Sequence, residues 1–292
     1  MRGFLLAAMM FGAATGAHAA DMPDFLRGSL PASSTQTRNW DGWYVGGQVG
    51  YTSANMDFSR ATKSLTNFIN RNSVLQEPVS QWETLSRNDA QSTGFGGFVG
   101  RNFQYDELVF GVEANYNYMN KLASSSSDSL SRLIVDPTGE NPPSGHSHTY
   151  DTTVTGSAAL QVKDVVTFRG RAGWAADNFL LYMFGGLAVG RMDASRSVNQ
   201  AYTKYDDYDT TVSTPQGSVT IHHTDVIGSA SQTQAETKTN AFVVGWTAGL
   251  GLEYCLWNNL FLRGEWEYIR FVSIKDTSVS TNSARFGVGY KF

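Results

Sequence analysis

The sequence predicts an all-β, membrane-spanning fold: an antiparallel up-and-down β-barrel of eight strands, with ten left open. Three observations predict it. Apolar and polar residues alternate with a period of two over eight segments of about ten residues, the length of a tilted membrane strand. No stretch beyond the N-terminal region approaches the roughly 20 apolar residues a spanning helix needs. Very short turns alternate with long polar connections, the arrangement of outer-membrane barrels, whose short turns lie in the periplasm.

The chain opens on an export signature. Arg2 supplies a positive start, residues 4–14 are apolar, and Ala17-His18-Ala19 forms an A-x-A cleavage site. This predicts a signal peptide over 1–19 and export through the Sec pathway. Residues 20–42, with Pro23, Pro31 and a Ser/Thr cluster from Ser33 to Thr37, read as an irregular periplasmic lead-in. The barrel is expected over 43–292.

Strand one covers 43–53. Trp43, Val45, Val49 and Tyr51 share one parity, while Gly46, Gln48, Gly50 and Thr52 share the other. Residues 94–105 and 108–119 form a pair about a turn at Asp106-Glu107. Residues 163–174 and 179–190 form another about Ala176-Asp177-Asn178. The clearest strand is 241–254, where Phe242, Val244, Trp246, Leu250 and Leu252 oppose Gly245, Thr247, Gly249, Gly251 and Glu253. As a helix this segment would put Trp246 and Glu253 on one face. After Trp257-Asn258-Asn259, a strand over 260–268 alternates Leu262 and Trp266 with Arg263, Glu265 and Glu267. A last strand, 284–292, alternates Phe286, Val288, Tyr290 and Phe292 with Arg285, Gly287 and Gly289.

The remaining connections, 54–93, 120–162, 191–240 and 271–280, read as polar outer loops. Alternation flanking Pro215-Gln216-Gly217 fits a hairpin above the membrane or two further strands. Aromatic girdles are expected at both rims. Trp43, Phe103, Trp174, Tyr254, Tyr290 and Phe292 fall at the periplasmic rim, and Tyr116, Tyr118, Phe242 and Tyr268 at the outer one.

Composition agrees. Charged residues are 16%, below the roughly 25% of soluble domains. Mean hydropathy is −0.27 despite 17 Phe, 13 Tyr and 7 Trp, because every second strand residue of a barrel faces inward. The single Cys255 excludes an intramolecular disulfide, and the formal net charge of −4 argues against a nucleic-acid partner.

Several stretches resemble one family. Trp40-Asp41-Gly42-Trp43-Tyr44-Val45-Gly46-Gly47-Gln48-Val49-Gly50-Tyr51 is similar to the opening strand of the alphaproteobacterial small outer-membrane barrels, the porin family or 25/31-kilodalton outer-membrane protein group. Asp21-Met22-Pro23-Asp24-Phe25-Leu26-Arg27-Gly28-Ser29 resembles the mature start of rhizobial members. Arg169-Gly170-Arg171-Ala172-Gly173-Trp174 and the stretch from Tyr182 through Gly190 resemble the family's fourth and fifth strands, and Arg285-Phe286-Gly287-Val288-Gly289-Tyr290-Lys291-Phe292 the terminal strand. The resemblance covers the strands and leaves the loops unmatched. It implies an eight-stranded outer-membrane barrel, related in architecture to the OmpA transmembrane domain. Family members include porins, surface antigens and haemin binders. The resemblance also marks the C-terminal Phe292 as a signal to the assembly machinery.

The inward parity carries Glu113, Arg169, Arg171, Glu253, Arg263, Glu265, Glu267 and Arg285. They are expected either to pair into a network that plugs the lumen or to line a water path as a selectivity ring. His146, His148, His222 and His223 fall in the outer loops, where His-x-His and His-His pairs could take a metal or a haemin edge. No carboxylate or cysteine completes a ligand set by spacing, so neither metal nor cofactor is expected. No spacing sets a base beside a nucleophile, so the chain is not expected to be an enzyme. The expected role is structural: envelope integrity with at most limited small-solute permeability. A loop-mediated binder of haemin or of a host surface, and a general-diffusion porin, stay open. Expected partners are outer-membrane lipid and lipopolysaccharide, with oligomers open.

Overall fold

A computed structural model describes residues 38–292. The expected signal peptide and most of the expected lead-in lie outside the described residues. Eight antiparallel strands close into one ring: β1 (Gly42–Asp57), β2 (Arg87–Tyr105), β3 (Leu108–Val135), β4 (His146–Ala176), β5 (Phe179–Thr214), β6 (Gly217–Cys255), β7 (Leu260–Phe271) and β8 (Ser278–Lys291). Each strand pairs with its neighbour in sequence, and β8 pairs back onto β1 from Tyr44↔Lys291 to Asp57↔Ser278. The ten-strand alternative is therefore wrong. The alternation around Pro215-Gln216-Gly217 belongs to the tips of β5 and β6, which stay paired out to Thr214↔Gly217.

The periplasmic turns are as short as expected. Asp106 and Asp177 adopt positive φ values of 54° and 50° there, a conformation that Asp tolerates better than most residues in a tight hairpin. The membrane belt is an outward band of apolar and aromatic side chains. On β3 it runs from Leu108 to Tyr118, and the others include Trp43, Trp174, Leu181, Phe242 and Phe286, all more than one-third exposed. Ten residues at about 3.4 Å, tilted by about 45°, give roughly 25 Å, the height of such a band.

The outer connections differ most from expectation. Residues 120–135, 146–162, 191–214 and 217–240, read as loops, are the upper halves of β3 to β6. They form a four-stranded extension that continues the barrel wall above the lipid. β5 alone continues from Met192 to Thr214, about 70 Å along the strand. The β1–β2 connection holds two short helices, α1 (Lys63–Ile69) and α2 (Gln76–Ser80). Neither has a side-chain N-cap bond, and helices this short gain their stability from packing. Leu65, Leu75 and Val79 pack on Tyr150, Val154 and Val198 from the inner face of β4 and β5. The helices thus cap the inside of the extension.

Candidate functional site in the barrel lumen

All eight charged residues expected inside are inside, and none is more than 5% exposed. The register brings them together from β3, β4, β6, β7 and β8, with Glu113↔Arg169, Glu253↔Arg263 and Glu265↔Arg285 directly opposite. Glu113 is the hub. Arg169 Nε donates to its Oε1 at 2.8 Å, Arg263 Nη2 to its Oε2 at 2.6 Å, and the Tyr44 hydroxyl to Oε2 at 2.7 Å. Arg171 Nη1 lies 3.3 Å from Glu113 and 2.9 Å from Glu253. Arg169 also reaches Glu265 at 2.6 Å, and Tyr182 donates to the same carboxylate at 2.6 Å. Arg285 pairs with Glu267, which accepts from Thr247 at 2.8 Å. Four acids face four arginines, so the buried charge is balanced.

Sequence reasoning missed the aromatic half of the site. Arg263 stacks over Phe98 at 3.7 Å, and Arg171 over Tyr182 and Arg169 over Phe184 at 3.9 Å. Each ring needs a glycine on the next strand. A Cβ at Gly251 would collide with the Tyr182 ring, and one at Gly46 with Phe98. The readable signal was parity: Tyr44, Phe98 and Tyr182 share the inward parity of the charges.

The lumen is filled in layers. Trp40, Tyr44, Leu180 and Phe261 form an apolar floor at the periplasmic end. Trp40, which the sequence assigned to the irregular lead-in, is only 3% exposed and meets Phe261 edge-on at 6.2 Å. Above the floor lies the charge network. Next come neutral polar pairs, with Gln48 donating to Asn117 at 2.7 Å and Thr52 bonded to Ser283 at 2.8 Å. Last is an apolar roof that includes Met56, Phe58, Met119, Leu122, Met192 and Ile269. The sequence analysis placed charges on the inward parity but did not foresee this roof. Inward positions turn apolar toward the outer end, where they pack on each other.

The four histidines lie on strands, not in loops. His146 and His148 begin β4, and His222 and His223 are near the tip of β6. The carboxylates that spacing could not supply come from other strands and turns. His146 Nδ1 is 2.9 Å from Asp206, His148 Nδ1 is 2.7 Å from Glu140, and His222 Nδ1 is 2.8 Å from Asp209. His223 Nε2 is 2.7 Å from Thr210. Among the described residues no group of three or more His, Cys, Asp or Glu is placed to hold a metal.

Glu140 ties the β3–β4 turn to the extension, accepting from Tyr150 at 2.5 Å and Lys204 at 2.9 Å. Partial burial raises its pKa, but the bonds from Tyr150, Lys204 and His148 outweigh this and hold it at about 2. A carboxyl depressed in the folded state stabilises it above the ordinary value of 4.5 and loses that contribution as pH falls through the folded value. The turn is therefore expected to loosen between about pH 4.5 and pH 2, read as faster amide exchange at residues 136–146. In Glu140→Gln that acid-dependent step disappears.

The fold and its lumen define an integral outer-membrane β-barrel. The Outer membrane protein beta-barrel domain family model matches residues 4–292, and the chain belongs to that family. It is 28% identical over 305 residues, all of both chains, to the 31 kDa outer-membrane immunogenic protein of Brucella melitensis biotype 1. It is 28% identical to the 22 kDa outer membrane protein of Rhizobium leguminosarum bv. viciae over 70% of each chain. Among solved structures, the N-terminal β-barrel domain of Pseudomonas aeruginosa OprF matches with a TM-score of 0.30 and 9% identity, covering 84% of this chain and 97% of that one. The protein is thus an outer-membrane barrel of the small alphaproteobacterial type, located in the outer membrane.

Proposed function

We propose that the protein is a closed structural barrel that supports envelope integrity and passes small solutes poorly, and that it is not an enzyme. The observation that carries this reading is the stack of floor, charge network and roof. A water path must cross two apolar layers and a network whose carboxylates are all engaged by arginine. The plug thus has more support than the selectivity ring. Refolded mature protein, checked for heat-modifiable gel mobility, is expected to give no stable conductance steps in a planar bilayer. Large, reproducible steps would make it a general-diffusion porin and turn the lumen charges into its filter.

Phe292 fits a role in assembly. Its backbone N–H donates to Trp43 O at 2.8 Å, so it sits at the seam where β8 meets β1, yet it is 72% exposed. Its ring contributes little burial to lose. Deleting Phe292 is expected to lower the yield in the outer membrane while leaving folding in detergent nearly unchanged. Equal losses in the two assays would make it only a rim aromatic.

A further inference from the structure

We propose that the lower part of the outward face of the β3–β6 extension, from Ser125 to Ser131 on β3, is a contact surface for the neutral oligosaccharide of the outer-leaflet glycolipid. The face is a grid of four strands by four rows set by the strand register. One row is Ser127, Ser157, Ser197 and Ala235; the row above it is Ser129, Thr155, Asn199 and Thr233. The rows below and above continue the pattern from Ser125 to Ser131 on β3. Every position is Ser, Thr, Asn or Ala. Side-chain bonds tie the strands together: Ser129 to Thr155 at 3.0 Å, Ser157 to Ser197 at 2.8 Å, and Asn199 to Thr233 at 2.7 Å. At strand spacings of about 4.8 Å and two-residue repeats of about 6.8 Å, the grid spans roughly 15 by 20 Å, the size of a short oligosaccharide. A groove of about 480 Å³ crosses its foot, lined by Ser125, Ala159, Gln161, Ser195, Thr237 and Thr239.

Three observations favour a saccharide over bare water or a protein. First, a water-facing sheet normally carries interspersed charges. Here they are inverted: Arg196 and Glu236 lie on the inner parity, bonded to each other at 2.7 Å, and the outer grid has none. Second, the face continues the lipid belt upward on the same strands. The charges gather between belt and grid, where Lys163 pairs with Asp193 at 2.7 Å and Arg191 with Asp164. The grid therefore begins where hydrocarbon and headgroup end and the sugar layer starts. Third, the four rows of the grid lack aromatic and large apolar side chains, which a protein interface would concentrate at its centre; exposed apolar residues return on this face only above the grid, at Leu133 and Val135. Paired hydroxyls that both donate and accept match a polyhydroxylated chain. Anchoring in the bilayer keeps the saccharide at high effective concentration, so weak contacts suffice.

The test uses the refolded full mature chain and core oligosaccharide released by mild acid from rough lipopolysaccharide, read by saturation-transfer NMR. The row variant Ser129→Ala/Thr155→Ala/Asn199→Ala/Thr233→Ala removes one line of polar groups. Alanine already occupies three grid positions, so folding should hold, and heat-modifiable mobility checks it. Wild type is expected to show transfer to the sugar protons, and the row variant to lose most of it. The tip variant Ser213→Ala/Ser218→Ala/Thr220→Ala should keep it. Undiminished transfer in the row variant overturns the proposal. So does transfer that survives in the row variant but vanishes in Lys121→Gln/Lys163→Gln, which would assign binding to phosphate. A wild-type dimer that the row variant converts to monomer in sedimentation would assign the face to a second copy.

Discussion

Glu113→Ala is expected to destabilise the barrel by about 3–5 kcal/mol, because removing one partner of a buried network leaves uncompensated charge in a low-dielectric interior. Arg169, Arg171 and Arg263 all lean on Glu113. Each of the three keeps another acid, Glu265 for Arg169 and Glu253 for Arg171 and Arg263, but three carboxylates then face four arginines and one positive charge is left unbalanced. The measurement is the urea midpoint for loss of the heat-modifiable band in detergent, with wild type and variant side by side. The size of the effect separates the two readings of the lumen. A cost near that of an exposed ion pair, below about 1 kcal/mol, would mean that water reaches the arginines and that a path exists. The network is not itself a reason for high stability, because apolar replacements of a whole buried ion cluster are often neutral or stabilising. What the structure shows of it is that it fills the lumen with side chains from five strands.

The double variant Leu75→Ala/Val79→Ala is expected to free the helical cap without opening the barrel. Both side chains are 1% exposed and belong to the cluster that seats α1 and α2 on β4 and β5. Truncating one buried Leu costs about 2–5 kcal/mol, and two helices of seven and five residues have no stability of their own to offset it. Limited proteolysis should then cut within 59–86, while wild type resists. The heat-modifiable band should persist, because the roof formed by Met119, Leu122, Met192 and Ile269 lies below the cap. Loss of that band together with the cap would mean that helices and barrel fold as one unit.

What the sequence revealed follows from physical contrast. Lipid outside and charge inside give the strongest possible alternation, so the membrane halves of all eight strands were legible, with Val244 and Trp246 set against Glu253 the clearest case. Above the lipid the contrast vanishes. Ser124 and Ser126 face one way and Ser125 and Ser127 the other, and a period of two cannot be seen when both parities carry hydroxyls. The upper halves of β3 to β6 thus read as loops. The apolar roof was hidden for a related reason: Ile269 shares its parity with Arg263, Glu265 and Glu267 two turns of the pleat below, and the charges dominated the reading. The histidine partners were unreadable by spacing, since Asp206 lies 60 residues from His146 and meets it only through the β4–β5 register.

The seam between β1 and β8 has a kinetic consequence. The strands that close the ring are the first and last of the barrel, with Tyr44 paired to Lys291, so closure joins segments that are as far apart in sequence as the barrel allows. Such long-range pairing is slow, because the entropy of loop closure must be spent before any contact repays it. Until the last residues emerge, β1 remains a bare edge with unpaired backbone groups, a template for mispairing. A chain built this way cannot finish folding while it is being made. Closure of the ring, which needs the last strand in place against the first, is therefore the late step of its folding.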